Sequence, residues 1–361
     1  LDKLDQQLQY SIHGEFDLGW KLVQELEKER PYCNRCAFNR GWYVLAQGKL
    51  REGMELIARG RFENVFGSPP LRTYKPIFNI RDLNHKLEDK FVLLNLEGGF
   101  GDEIIGFRFV NEISRLGGKA IVAAHPKLMS LFSSQKNVSG LVSFEAARAV
   151  YHDFWIPSMS AELCFDNTFE TLPNKPYIEA KTEFVEKFKK IIKKDTFNIG
   201  IRWIGLPDFE HEQFRRFPDH LLFDIVNNYK NNKNIKFYSL QKDLADKNNL
   251  PKHIIDLDSC LETWDDTSGA IANLDLVISS CTSVPHLSGA MGIPTWVIVP
   301  ILPYYIWAYR LKEDPISRGE YTSYYRNHRL FRQEKFGQWR EPFEKIKIGL
   351  NNLLKEKNLI S

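Results

Sequence analysis

At about 150 residues per domain, a chain of 361 residues holds two or three folding units. Its 43% apolar, 13% aromatic and 26% charged residues furnish ordinary globular cores and exclude a mainly disordered chain, a collagen or a coiled-coil rod. With 49 Lys+Arg against 46 Asp+Glu, the net charge of +3 is too even for a dedicated nucleic-acid binder. The longest apolar stretch, 295–307, is broken by Pro300 and Pro303, so no membrane span is expected.

Five cysteines make no disulfide framework, which points to a reducing, cytoplasmic setting. Cys33 and Cys36 form a single CxxC. A zinc site needs about four ligands, so the pair reads as two small residues at a helix start and no metal is expected. The chain opens at Leu1 rather than Met, which leaves room for upstream residues, a removed leader among them; the visible start shows no signal peptide.

Along the chain, the first signal is a repeat. Gly14-Glu-Phe-Asp-Leu-Gly-Trp20 aligns with Gly48-Lys-Leu-Arg-Glu-Gly-Met54 at an offset of 34 residues, and both read Gly-x-apolar-x-x-Gly-bulky. Small residues at this period let paired helices cross closely, as in tetratricopeptide repeats, which the segment resembles; an unrelated helical hairpin is the other reading. Helices are expected at 18–29, 35–47 and 50–60. Too short for a free-standing solenoid, this segment is expected to pack on the next domain or to be the remnant of a longer array.

A Pro-rich linker, Ser68-Pro-Pro70 and then Pro76, precedes a change of pattern. Phe91–Leu96 is an apolar run of buried-strand length, succeeded by a Gly-rich loop, a helix over 103–115 closed by Gly117-Gly118, and a strand at 120–124. This β–loop–α–β order predicts a parallel sheet, with a further short strand at 153–156. The pattern restarts with strands at 197–203, 236–239, 274–279 and 295–299, and helices near 219–229, 263–272 and 283–291. An amphipathic helix, 340–357, closes the chain on Phe343, Ile346, Ile348, Leu350, Leu353 and Leu354. The expected domains are a helical segment over 1–70 and two Rossmann-like halves over 71–190 and 191–361, with ligand outside the carboxyl ends of the strands, in the cleft between the halves.

Candidate chemistry sits at those strand ends. Gly98, Gly99 and Gly101 let backbone N–H groups approach a ligand, and the helix after them presents its positive end. Their spacing is not GxGxxG, and no GxxxxGK[ST] occurs, so NAD chemistry and nucleotide hydrolysis lose their usual support. Asp102 reads two ways, as a general base toward a hydroxyl or as a helix N-cap. The loop Ser279–His286 places Thr282 and Ser283 at a helix start, where hydroxyls and backbone N–H groups suit a diphosphate. His286 either touches that ligand or packs in the helix, and Cys281 has no neighbouring base in the sequence to make it a nucleophile. Arg202, Arg215 and Arg216 come after the first strand of the second half, either as phosphate-holding forks or as solvated surface residues. Gln241 and Lys242 end another strand. Asp256-Leu-Asp258 is formally a metal-carrying DxD, but two carboxylates alone are weak evidence. The run Lys230–Lys236 reads as a solvated turn rather than a nucleic-acid patch.

Together these pieces resemble bacterial tetratricopeptide proteins carrying a GT-B glycosyltransferase domain, similar to ADP-heptose heptosyltransferases and more distantly to protein O-GlcNAc transferase. The matching stretches are Leu96–Phe109, Gly200–Trp203 with Arg215–Pro218, Tyr238–Lys242, Asp266-Thr267, Leu276–Gly292, and Arg329–Gln333 before Trp339. The resemblance covers about residues 10–345 and rests on their order and spacing. It implies a GT-B α/β fold, two Rossmann-like domains facing a cleft, and metal-independent, inverting sugar transfer from a nucleotide-sugar donor to a protein or glycan hydroxyl, with no cofactor. By position Asp102 matches the proposed base, Thr282, Ser283 and His286 the donor-diphosphate loop, and Gln241 and Lys242 a segment near the nucleotide. Cys281 stands where heptosyltransferases usually carry Asp, and Pro303-Tyr-Tyr-Ile-Trp307 replaces the common Asp-Trp-x-Trp, as an aromatic wall beside the site or as core. The rival expectation is a non-catalytic repeat scaffold on a degenerate GT-B fold.

Overall fold

The computed structural model describes residues 2–66, 71, 73–82, 87–205, 212–242, 250–309 and 320–360. The linker residues Ser68, Pro69 and Pro70 lie outside these. Contacts divide the chain into two units, residues 1–11, 15–179 and 304–326 in the first and residues 12–14, 180–303 and 327–361 in the second.

The chain begins with helices α1 (Lys3–His13), α2 (Phe16–Glu29), α3 (Asn34–Ala46) and α4 (Leu50–Ile57), then a 3₁₀ turn over Ala58–Glu63. The sequence pattern anticipated the last three helices and missed α1. Gly14 and Gly48 each come after a helix in the left-handed region, with φ of +79° and +84°. Gly19 and Gly53 lie inside the next helices, where an added Cβ would strike the side chains of Tyr43 and Leu45. The 34-residue spacing therefore marks two helix pairs with the same left-handed turn, and a second glycine in each that lies against α3. The CxxC is a helix cap: the Cys33 Sγ accepts the Cys36 N–H at 3.2 Å, and all five cysteines are free thiols.

The first sheet holds β1 (Phe91–Asn95), β2 (Lys119–Ala123), β3 (Val138–Val142) and β4 (Phe154–Pro157), parallel throughout, in the order β3-β2-β1-β4. Helices α5 (Phe100–Phe107), α6 (Phe109–Arg115), α7 (Pro126–Ser133) and α8 (Ala161–Cys164) connect or succeed these strands. The single helix expected from 103 thus starts three residues earlier and breaks at Arg108. That buried guanidinium donates to the carbonyls of Ile105 (2.9 Å), Pro173 (3.1 Å) and Tyr324 (3.0 Å) and lies over the rings of Tyr177, Tyr324 and Tyr325. Because β2 and β3 lie on one side of β1 and β4 on the other, the strand order reverses between β1 and β4.

In the second unit β5 (Phe197–Arg202), β6 (Ile235–Ser239), β7 (Ile254–Asp256), β8 (Leu276–Ser280), β9 (Thr295–Val299) and β10 (His328–Arg332) form a parallel sheet in the order β10-β9-β8-β5-β6-β7. Its helices are α9 (Thr182–Lys189), α10 (Glu212–Arg215), α11 (Asp219–Asn227), α12 (Trp264–Ile271), α13 (Ser283–Ala290) and α15 (Arg340–Glu356), while the short α14 (Tyr305–Ala308) belongs to the first unit. Ile199, Ile201, Leu276, Ile278 and Ile298 share a core with Phe217 and with Phe343, Ile346, Leu350 and Leu354 of α15. Ile348, expected on that apolar stripe, is 59% exposed, because the stripe at 343, 346, 350 and 354 leaves it on the far face. Here the order reverses between β5 and β8.

Candidate functional site

In open parallel sheets, ligands gather outside the carboxyl ends of the strands at the point where strand order reverses. Each unit carries sequence-predicted residues at that point.

In the first unit, β1 runs into Glu97, Gly98 and Gly99. Glu97 is buried and stitches the ends of β1 and β4 together: its N–H donates to Ser158 Oγ at 2.9 Å, and its carboxylate accepts from Met159 N at 3.0 Å. Arg61 from the N-terminal helical segment completes the ion pair, its Nη2 donating to Glu97 Oε2 at 2.8 Å and to Ser160 Oγ at 3.0 Å. Gly98 has φ +85°, and a Cβ there would lie 2.5–2.7 Å from the Asp102 side chain, so glycine is required on both counts. Gly99 is the N-cap of α5, Gly101 lies in its first turn, and Asp102 stands at the third helical position. The N-cap reading of Asp102 is therefore corrected by three residues, to Gly99. The Asp102 Oδ2 accepts the Gly99 N–H at 2.8 Å, the half of a capping box that runs from the third helical residue back to the N-cap; Gly99 has no side chain to return it.

Asp102 is half-buried, and its Oδ1 accepts from the Tyr304 hydroxyl. Burial raises its carboxyl above the usual carboxylate range, against hydrogen bonds from Tyr304 and Gly99 that favour the ionised form. Beside it, Glu103 is buried, and burial pushes its carboxyl up to about 8 while the His125 N–H donates to it at 2.9 Å. The sequence reading passed over Glu103, Glu97 and Arg61, whereas Tyr304 belongs to the run it offered as an aromatic wall beside the site or as core. Glu103 alone left a trace: it falls on the apolar stripe of α5, three residues after Phe100 and four before Phe107. Of the 303–307 run, Tyr305, Ile306 and Trp307 are core, and Tyr304 is the ring beside the candidate base.

In the second unit the switch lies between the loops after β5 and β8, and Arg215 joins them. Its Nη1 donates to the Cys281 carbonyl at 2.8 Å, and its Nε pairs with Glu212, whose other oxygen accepts the Gly205 N–H at 2.7 Å. Arg215 is thus mostly buried at the turn, whereas Arg216 is a solvated surface residue. Thr282 is the N-cap of α13, yet its side chain caps nothing. Its Oγ1 and the Oγ of Ser280 are buried without a hydrogen-bond partner. Ser283, the first helical residue, is half-exposed. His286, one turn in, is buried within α13, which fits the packing reading.

Gln241 is buried, and its Oε1 accepts the N–H groups of Trp203 (3.3 Å) and Ile204 (3.0 Å), so it shapes the end of β5. Arg202 donates to the Leu240 carbonyl at 3.0 Å. Lys242 pairs with Asp258 at 3.4 Å, and Asp256 Oδ1 accepts the Asp258 N–H at 3.1 Å, so the DxD is a turn with its carboxylates engaged. Among the described residues no cluster of three or more His, Cys, Asp or Glu could hold a metal ion, and no helix is long and apolar enough to cross a membrane.

No protein-family model matches the chain, and no curated protein does. Solved structures do. The glycosyl transferase family 9 structure from Veillonella parvula is similar with TM-score 0.56 at 11% identity, over 75% of this chain and 99% of that one. The Escherichia coli ADP-heptose LPS heptosyltransferase II is similar with TM-score 0.50 at 10% identity, over 74% of this chain and 99% of that one. At such identities the likeness is one of fold: two parallel α/β sheets of the GT-B-like kind that these glycosyltransferases share.

Proposed function

We propose that the chain is a metal-independent, inverting glycosyltransferase that moves a sugar from a nucleotide-sugar donor to a hydroxyl of a protein or glycan acceptor. The observation that carries this reading is the β5–β8 switch point. There two buried hydroxyls, Ser280 at the end of β8 and Thr282 at the N-cap of α13, lack partners, and Arg215 is fixed on the Cys281 carbonyl between them. An unpaired buried hydroxyl costs about 1–3 kcal/mol, so two in one loop between a strand end and a helix N-terminus suit a bound anion better than burial without a partner. The leaving group of the reaction, a nucleoside diphosphate, is such an anion.

In the step itself the acceptor oxygen attacks the anomeric carbon, the bond to the diphosphate oxygen breaks, and Asp102 takes the acceptor proton. Ser280, Thr282, Ser283, the first N–H groups of α13 and Arg215 hold the departing charge, the larger task in such transfers. Gln241, Lys242 and Arg202 shape the surrounding strand ends, and His286 packs inside α13. The carboxylate usual at position 281 in heptosyltransferases is a thiol here, so this chain meets its donor through hydroxyls and Arg215. The two helix pairs at the N-terminus are read as tetratricopeptide-like.

A thermal-shift screen with ADP-, UDP-, GDP- and CMP-sugars tests the proposal, ADP-heptose first because the heptosyltransferase fold neighbour is named for it. A donor at 100 times its dissociation constant stabilises the fold by about 2.7 kcal/mol. A shift with one nucleotide class, and product seen by mass spectrometry with a lysate acceptor, supports the reading; no shift with any donor refutes it.

A further inference from the structure

Tyr304 lies on the segment that returns to the first unit, and its hydroxyl donates to Asp102 Oδ1. Its ring meets Trp42 edge-on at 6.0 Å and Tyr305 at 4.8 Å, and Trp42 stacks on Tyr305 at 5.9 Å with the planes 13° apart. Tyr305 is buried and fixed, whereas Tyr304 and Trp42 are half-buried. Two rings from two distant stretches of chain, Trp42 on α3 and Tyr305 on the return segment, thus hold one phenol against one carboxylate. Gly99 N–H holds the other carboxylate oxygen at 2.8 Å, so the side chain has a single orientation.

We propose that Tyr304 is the positioning residue of Asp102 and that Trp42 holds Tyr304 in place, which makes the N-terminal helices part of the base's setting. The inference rests on Asp102 being the base. A half-buried carboxylate beside apolar rings tends to keep its proton, and a protonated Asp is no base. A phenol aimed at one oxygen is a charge-assisted donor that favours the ionised form. Among the described residues, Glu103 on its own helix and Tyr305 on α14 feel the Asp102 charge, and burial disfavours the ionised form of both. Neither supplies a counter-charge, so the donated hydrogen bonds of Tyr304 and Gly99 carry that task.

The test reads Asp102 directly and needs no substrate. In the full chain labelled with ¹³C at aspartate Cγ, the Asp102 signal is identified by its loss in Asp102→Asn and titrated by NMR. Tyr304→Phe keeps the ring and removes the donor, and is expected to move the midpoint up by about one unit or more. Trp42→Leu is expected to move it the same way, and Trp42→Phe to return it toward the wild-type value. An unchanged midpoint in folded Tyr304→Phe overturns the proposal, and that variant decides alone if Trp42→Leu does not fold. The acid limb of kcat/KM is expected to track the titration. A midpoint that moves while the acid limb stays fixed supports the positioning by Tyr304 and removes Asp102 as the base, which separates the two claims.

Discussion

Glu103 offers a measurement that depends on neither substrate nor acceptor. Its side chain is 2% exposed, and burial pushes its carboxyl from an ordinary 4.5 to about 8. Between those values the folded chain keeps a proton that the unfolded chain has released. Folding stability therefore falls as pH rises from about 4.5 to about 8, and the penalty is absent below that window and constant above it. At 1.36 kcal/mol per unit the shift of about 3.5 units corresponds to roughly 5 kcal/mol, an upper figure because any opening that hydrates the carboxylate reduces it. Glu103→Gln keeps an oxygen to accept the His125 N–H and has no proton to lose. Urea unfolding at pH 5, 6.5 and 8 should give variant and wild type nearly equal stability at the acid end, with the variant gaining by a few kcal/mol at pH 8. A difference that stays the same at all three pH values would refute the buried, proton-holding Glu103.

Arg61→Ala leaves Glu97 as an uncompensated buried charge and should destabilise the first unit by about 3–5 kcal/mol, whereas Arg61→Met with Glu97→Leu should recover most of that loss in the same thermal unfolding assay. Ser280→Ala removes an unpaired buried hydroxyl and should leave stability unchanged or raised by up to about 1 kcal/mol. By calorimetry the same variant should bind the nucleoside diphosphate roughly 3–10-fold more weakly; intact affinity would take Ser280 out of the diphosphate site. Asp102→Asn should lose transfer by about 10²–10⁴-fold while keeping donor affinity, and undiminished turnover would remove it from the mechanism.

The fold was legible in the sequence wherever a signal is local. Strands with continuous apolar runs, such as Phe91–Asn95 and Leu276–Ser280, announce themselves, as do the glycines that stop helices at Gly117 and Gly292. The missed strands lack that signal. Val138–Val142 is only half-buried, Ile254–Asp256 has three residues, and His328–Arg332 buries a histidine and an arginine that hydropathy marks as surface. The 34-residue glycine spacing was readable because a left-handed turn and a close helix crossing each demand glycine at a fixed offset.

The sites were half legible for a related reason. Loops at strand ends can be found from the strands, but which loops share a switch point depends on strand order, a property of the folded sheet. Nothing near Arg215 in sequence says that its guanidinium ends on the Cys281 carbonyl, 66 residues away, nor that the Tyr304 hydroxyl ends on Asp102, 202 residues away. What the sequence does carry is the cost of these arrangements. Gly98 must be glycine because its φ is +85° and Asp102 folds back against it, and a Cβ added at Gly205 would lie 2.1 Å from Arg215 Nη2 and push that side chain from its place. In both loops the glycine is there for a charged side chain more than for a ligand. The same residues that an anion-binding reading would pick out are first of all what lets Asp102 and Arg215 be held in one orientation, and a fixed charge at a strand end is the precondition for either of the roles proposed for them.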